Sequence, residues 1–300
     1  MNSLPPESRV PNPESRASVS SPESRTPGAI VFLGGGNMAR ALIGGLLRGD
    51  GDAARIRVAE PRPEARDELA RTFGVGVHAD NAEAVRGAAL WVLAVKPQVL
   101  REVCRGLATP AQRERPTVLS IAAGIRCDAI AGWLGGGLAV VRAMPNTPAL
   151  LGAGATGLYA NARVDAAGRA HAERIMAAVG AVCWIAEEGW MDIVTALSGS
   201  GPAYFFLLAE AMEAAAVAQG LPAETARLLA AQTCLGAGRM LREDGADASI
   251  LRQRVTSPGG TTQAALQVLQ RGGFAELAVQ AVAAAARRAA ELAATAGAAP

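Results

Sequence analysis

From Ala29 onward, short runs of consecutive apolar, β-branched residues alternate with longer segments in which apolar positions recur every three or four residues. The runs suit strands buried on both faces and the longer segments suit helices with one covered side, so the alternation predicts a parallel sheet with crossover helices. Strands are expected at 30–33, 56–59, 90–95, 118–121 and 138–142, with two short ones near 157–160 and 182–185 extending the same sheet. After about Glu187 the strand pattern stops. Alanine-rich helical segments are expected at 203–219, 223–242 and 262–294, interrupted by Gly and Pro. The chain thus divides into an α/β part over 28–186 and an all-α part over 187–297. The later helices carry many Ala and Leu and little charge, as at 211–218, so some apolar faces are expected to pack against another subunit.

Residues 1–27 do not share this pattern. Pro-Glu-Ser-Arg occurs three times, at 6–9, 13–16 and 22–25, with too few apolar side chains to offset the entropy of ordering, so a disordered tail is expected. It lacks the continuous apolar core of a secretory signal, and the Glu in every repeat separates it from a transit peptide. With half its residues hydrophobic and a net charge of +2, the chain has material for substantial cores and no field that would draw nucleic acid. The longest apolar stretches, such as 89–95 and 281–286, fall well short of the roughly 20 residues of a bilayer span, so no membrane association is expected. Cys104, Cys127, Cys183 and Cys234 form no CxxC pair and have no nearby His. Neither a metal site nor a disulfide framework follows from them, and reduced thiols in a cytoplasmic protein are expected.

The candidate chemistry begins where the first strand runs into Gly34-Gly35-Gly36-Asn37-Met38-Ala39, a G-x-G-x-x-A turn opening a helix. In that context Gly34 makes the tight turn, Gly36 lets the backbone approach a pyrophosphate, Ala39 permits close helix packing, and helix N-terminal N–H groups hold the phosphate charge. Glu60 closes the second strand, where an acidic group accepts from the adenosine ribose and favours NAD(H). Arg57 and Arg62 flank it, and either would instead suit the 2′-phosphate of NADP(H), so both cofactors remain open.

A second glycine turn, Ser257-Pro258-Gly259-Gly260-Thr261-Thr262, precedes the last long helical segment. It has the makings of an anion cradle for a small carboxylate, and equally of an ordinary N-cap in which Thr261 or Thr262 satisfies backbone donors. The Leu197–Tyr204 turn opens the first helix of the second part, and its serines read better as packing and capping groups, with Tyr204 as core. His78 and His171 lie outside every such turn. Lys96, the sole lysine, follows the 90–95 strand at the cofactor edge of the sheet. It is read as orienting the nicotinamide or as one half of a helix-start ion pair.

Taken together, Phe32 to Met38, Ala94-Val95-Lys96-Pro97, Ser120-Ile121-Ala122-Ala123-Gly124, Arg142 to Pro148, Leu197 to Tyr204 and Ser257 to Thr262 resemble the pyrroline-5-carboxylate reductase family, in one order and over 29–292. The resemblance implies an α/β Rossmann-type N-terminal domain followed by an all-α C-terminal dimerisation domain, with dimers assembled into a larger ring. It implies cofactor contacts at Gly34, Gly35, Gly36, Asn37, Met38, Ala39, Asn81, Ala94, Val95, Lys96, Pro97, Ile121, Ala122 and Ala123. It implies a substrate loop of Ser257, Gly259, Gly260, Thr261 and Thr262, with the Thr262 hydroxyl against the ring nitrogen. The chain departs from the family at Asp247-Ala248, where a His-Pro pair is common. A 3-hydroxyacid dehydrogenase shares the two-part outline but uses a lysine in its helical part, and none is present there. A nucleotide sensor of the same fold would not need the second turn.

Overall fold

The computed structural model describes residues 28–298; the segment expected to be a disordered tail lies outside them. Strands and helices alternate as β1 (Ala29–Leu33), α1 (Asn37–Arg48), β2 (Ile56–Ala59), α2 (Pro63–Phe73), β3 (Gly76–His78), α3 (Asn81–Ala84), β4 (Ala88–Leu93) and α4 (Pro97–Gly106). They continue as α5 (Ala108–Glu114), β5 (Thr117–Ser120), α6 (Cys127–Trp133), β6 (Ala139–Met144), β7 (Gly154–Ala160), α7 (Ala166–Ala177) and β8 (Gly180–Trp184). One eight-stranded sheet results, in the order β3-β2-β1-β4-β5-β6-β7-β8. The first six strands are parallel and follow the doubly wound Rossmann order, in which the winding reverses between β1 and β4.

The apolar runs are explained by burial on both faces. Phe32 joins Leu42, Ile43, Leu69 and Ile175 on one side, while its neighbours Val31 and Leu33 join Trp91, Leu100, Cys104 and Ile130 on the other. Each such side chain taken out of water contributes about 1.5–3 kcal/mol. Trp91, wholly buried, satisfies its indole N–H on the Ala88 carbonyl at 3.2 Å.

Three expectations need correcting. β7 runs antiparallel to β6, because the nine residues 145–153 between them are too few for the crossover a parallel return needs. β4 stops at Leu93, short of the expected 95, and Ala94 turns away after donating to the Leu33 carbonyl at 2.9 Å. The expected helix over 262–294 is two helices, α12 (Thr261–Arg271) and α13 (Phe274–Ala298), because Gly273 takes a left-handed conformation with φ +76°.

The helical part comprises α8 (Met191–Val194), a wide turn at Thr195–Gly199, α9 (Gly201–Ala218), α10 (Ala223–Glu243), α11 (Ala248–Arg254), α12 (Thr261–Arg271) and α13 (Phe274–Ala298). The wide turn accommodates Pro202, which lacks an N–H. Ser198 bonds back to the Val194 carbonyl at 2.9 Å and Tyr204 to the Ala196 carbonyl at 3.0 Å, so both act within the turn. Ala248 holds the first position of α11, where a proline would fit equally well.

Beyond residue 200 the buried apolar side chains among the described residues are Ala226, Leu251 and Ala289 alone. By length and composition the run Glu188–Ala218, whose most apolar window has a mean hydropathy of 1.2, is sufficient to cross a bilayer. The expectation drawn from uninterrupted apolar stretches missed it, because its polar residues are scattered. Only 17% of its most apolar window is buried.

Candidate active site

At the switch point the chain leaves β1 through three glycines with different surroundings. Gly34 has φ +103°, and a Cβ there would stand 2.8 Å from the Ala94 carbonyl oxygen and 3.1 Å from Val95 Cγ1. Both the conformation and the contact require glycine. A Cβ on Gly35 would meet Leu69 Cδ1 at 2.6 Å, whereas one on Gly36 meets nothing within 4 Å. The amides divide in the same way. Gly34 N donates to the Ala59 carbonyl at 2.9 Å and Gly35 N to Glu60 Oε2 at 3.2 Å. The first intrahelical bond of α1 runs from Arg40 N to the Gly36 carbonyl at 3.0 Å, and no side chain caps this end. The N–H groups of Asn37, Met38 and Ala39 therefore have no partner among the described residues, and an open backbone stands before them. A bare helix first turn beside an open glycine fits the pyrophosphate of a dinucleotide.

Glu60 lies turned in beneath this loop, 5% exposed. Besides Gly35 it accepts from Arg62 Nε at 2.8 Å and Arg62 N at 3.2 Å. Burial pushes its carboxyl upward, but the hydrogen bonds and charge of Arg62, with Gly35 N–H, outweigh that and hold it below the ordinary range. Arg57 is engaged elsewhere, donating to the Arg86 carbonyl at 2.9 Å.

The loops after β4 and β5 close the same edge. Ile121 N donates to the Leu93 carbonyl at 3.2 Å and Ala122 N to Ser120 Oγ at 3.3 Å. Lys96 precedes α4, exposed and without an ion pair among the described residues. Pro97 and Ala123 line a cavity of about 370 Å³ with Gly124, Thr195 and, from α13, Leu292. The loops after β4 and β5 thus meet the helical part directly. Asn81 opens α3 on the same edge of the sheet, beyond β3.

The second glycine turn has a parallel construction. Gly259, with φ +71°, donates to Gln263 Oε1 at 2.6 Å, and Gly260 N donates to the Ser257 carbonyl at 3.1 Å. These two amides are in use, while those of Thr261, Thr262 and Gln263 in the first turn of α12 are unpartnered among the described residues. Ser257, Gly259 and Thr261 are exposed and Thr262 is half-buried. This turn does not line the cavity that holds Pro97 and Ala123.

Two residues met only as parts of a motif do structural work here. Asn146 donates to the Ser198 carbonyl at 3.0 Å and accepts from Ala155 N at 2.9 Å, joining the end of β6 to the wide turn. Arg142, 2% exposed on β6, lies 3.8 Å from Glu188 and 3.6 Å from Asp192. Glu188 also accepts from Cys127 N at 2.7 Å, so one buried charge cluster fastens the start of the helical part to the sheet. The signal was available: Arg142 is a lone charge in the apolar strand Ala139–Met144.

A doubly wound sheet with a glycine turn at its switch point, followed by helices with exposed apolar faces, defines an NAD(P)H-dependent oxidoreductase that pairs through its helical part. Residues 29–124 match the family described as NADP oxidoreductase coenzyme F420-dependent, and residues 188–292 match Pyrroline-5-carboxylate reductase dimerisation. The chain is 50% identical over 264 residues to a Pyrroline-5-carboxylate reductase of Pseudomonas aeruginosa, covering 88% of this chain and 96% of that protein. A solved pyrroline-5-carboxylate reductase from Coxiella burnetii superposes with a TM-score of 0.86 at 45% identity, covering 89% of this chain and 98% of that one. A Plasmodium falciparum pyrroline carboxylate reductase solved with NADP bound superposes with a TM-score of 0.76 at 27% identity, over 88% and 98% of the two chains. The chain belongs to the pyrroline-5-carboxylate reductase family. The dimerisation match also accounts for the exposed helices, since a homo-oligomer covers them with a second copy.

Proposed function

We propose that this protein reduces the C=N bond of 1-pyrroline-5-carboxylate to give L-proline. The carrying observation is the glycine turn at the switch point, with its open Gly36 and unpartnered first turn of α1. When bound, the reduced dinucleotide supplies the hydride. Its pyrophosphate is held by the Gly34–Ala39 turn through the N–H groups of Asn37, Met38 and Ala39, with Gly34 and Gly35 shaping the backbone. Asn81 and Glu60 flank the adenosine side. Ala94, Val95, Lys96, Pro97, Ile121, Ala122 and Ala123 form the wall on the nicotinamide side, and the exposed ammonium of Lys96 is available to orient it.

The imino acid needs an anion site and a polar contact at its nitrogen. The N–H groups of Thr261 and Thr262, within the Ser257, Gly259 and Gly260 turn, supply the first, and the Thr262 hydroxyl supplies the second. A protonated iminium already accepts hydride, so the ring carbon gains the new C–H bond, the C=N π pair moves to nitrogen, and no strong protein acid is required. Orientation supplies much of the acceleration. Two copies pair through their helical faces, dimers join into a larger ring, and the assembly works in the cytoplasm without a membrane or nucleic-acid partner. The two parts divide at residues 186 and 187.

The deciding experiment follows loss of reduced-cofactor absorbance with pyrroline-5-carboxylate, a six-membered imino acid and a 3-keto acid as alternatives. Reduction of the five-membered imine is expected to dominate, and preference for either other substrate would overturn the reading. Thr262→Ala is expected to lower kcat by about 10²-fold, within the range for a group acting on the reacting centre, while dinucleotide affinity changes far less; unchanged kcat would remove Thr262 from its role.

A further inference from the structure

We infer that Asn146 is a positioning residue for the imine reduction: its side-chain amide holds the wide turn at Thr195–Gly199, and with it the helical part, in register with the nicotinamide wall. The inference rests on the proposed reaction for its kinetic consequence and on the fold alone for the clamp itself. The sequence creates the need. In a continuous α-helix the Ser198 carbonyl would accept from residue 202, but that residue is Pro202 and has no N–H. The Ala196 carbonyl is also released, since Ser200 N donates to the Thr195 carbonyl at 2.8 Å instead. A carbonyl shielded from water needs a donor, so each must find one outside the helical ladder. The Tyr204 hydroxyl on α9 donates to the Ala196 carbonyl at 3.0 Å. Asn146 Nδ2 donates to the Ser198 carbonyl at 3.0 Å, from 52 positions earlier and across the seam between sheet and helices.

The amide is itself anchored on the sheet side. Its Oδ1 accepts from Ala155 N at 2.9 Å, near the start of β7. Contacts on either side leave the seam no slack: a Cβ on Gly199 would stand 2.5 Å from Met144 Cε, and one on Gly157 2.7 Å from Val194 Cγ1. Thr195, at the start of the turn, lines the cavity of about 370 Å³ with Pro97 and Ala123 of the nicotinamide wall and Leu292 of α13. The turn packs along α13, and α13 against α12, whose first residues are Thr261 and Thr262. Asn146 borders none of that cavity; it faces another, of about 590 Å³, with Ser198 and Met212. It therefore acts on the reacting groups through the turn. A misplacement of about 1 Å at a reacting centre is sufficient to cost roughly 10²-fold in rate.

Asn146→Ala removes both contacts, whereas Asn146→Asp keeps the size and the acceptor for Ala155 but sets a carboxylate oxygen against the Ser198 carbonyl. The test on full-length protein combines steady-state kinetics with NADPH and pyrroline-5-carboxylate, NADPH titration by nicotinamide fluorescence, and native hydrogen exchange over 195–201. Both variants are expected to lower kcat at least about ten-fold, to bind NADPH as the parent does, and to exchange the turn amides faster while β6 is unchanged. Parental kcat in Asn146→Asp assigns the residue to Ala155 alone and overturns the inference, as does a defect confined to NADPH affinity or turn exchange as slow as the parent's. Should neither variant fold, Tyr204→Phe loosens the same turn from its other side: a lowered kcat upholds the inference and a parental one overturns it. Parent protein that reduces no pyrroline-5-carboxylate removes the proposed reaction instead, and the clamp then stands or falls on the exchange measurement.

Discussion

Phe32, Leu42 and Trp91 in the sheet part are wholly buried, whereas Phe205, Phe206 and Leu207 on α9, equally apolar, stand 57%, 68% and 67% exposed. The sheet fills both its faces with its own helices. The helical part keeps little of its apolar surface for itself and leaves the rest for a second copy. Two neighbouring regions of one chain therefore draw stability from different sources, one from intramolecular packing and the other from association, which depends on concentration.

Placing a charge on the uncovered face should break this contrast most severely. In Phe206→Arg the guanidinium must be buried without a partner or the copies must separate, and either outcome costs several kcal/mol. The expected result is monomeric protein by light scattering, with activity down at least about 100-fold. Retained assembly with normal activity would show that α9 is not at the interface. Arg142→Ala tests the join between the two regions. It leaves Asp192 without a cation and Glu188 with Arg126 alone, at 3.4 Å, and since both carboxylates are partly exposed the cost is expected at the low end for a broken pair, about 3 kcal/mol in denaturant unfolding. Leu42→Ala tests the sheet alone. A cavity in its core should cost about 3 kcal/mol in the same measurement while molecular mass stays unchanged; loss of the oligomer would mean that the two regions are not independent.

The smallest effect concerns Glu60, whose folded carboxyl titrates below its unfolded value. Its contribution is complete above the ordinary carboxylate range near pH 4.3 and is lost as pH falls through the lower folded value. The stability gap between the parent protein and Glu60→Gln should therefore narrow as pH falls below the ordinary carboxylate range, and a gap that widens would contradict its bracing of Gly35.

The sheet was legible because β1 and β4 are packed on both faces and so appear as unbroken apolar runs, and β2 is interrupted only by Arg57. The glycine turn was legible because its chemistry is local. β3 escaped notice because three residues, Gly76–His78, are too few for any period to register. The end of β4 was set too late because Ala94 and Val95 remain apolar where they pack against Gly34 rather than in the sheet. The break between α12 and α13 was hidden by alanine-rich sequence on both sides, although Gly272-Gly273 marked it. The inward turn of Glu60 depends on Gly35 approaching from 25 positions away, which no local pattern encodes. The engagement of the Gly259 amide by Gln263 was equally invisible, since a helix-starting Gln gives no sign of whether its side chain reaches back.

The last strand ends at Trp184, ahead of every helix that bears the uncovered faces. During synthesis all eight strands consequently leave the ribosome before α9 does, and the dinucleotide cradle can form on a nascent chain that has no partner. The sticky helices appear last, so the interval in which they are exposed to misdirected contacts runs from their own emergence until a second copy arrives.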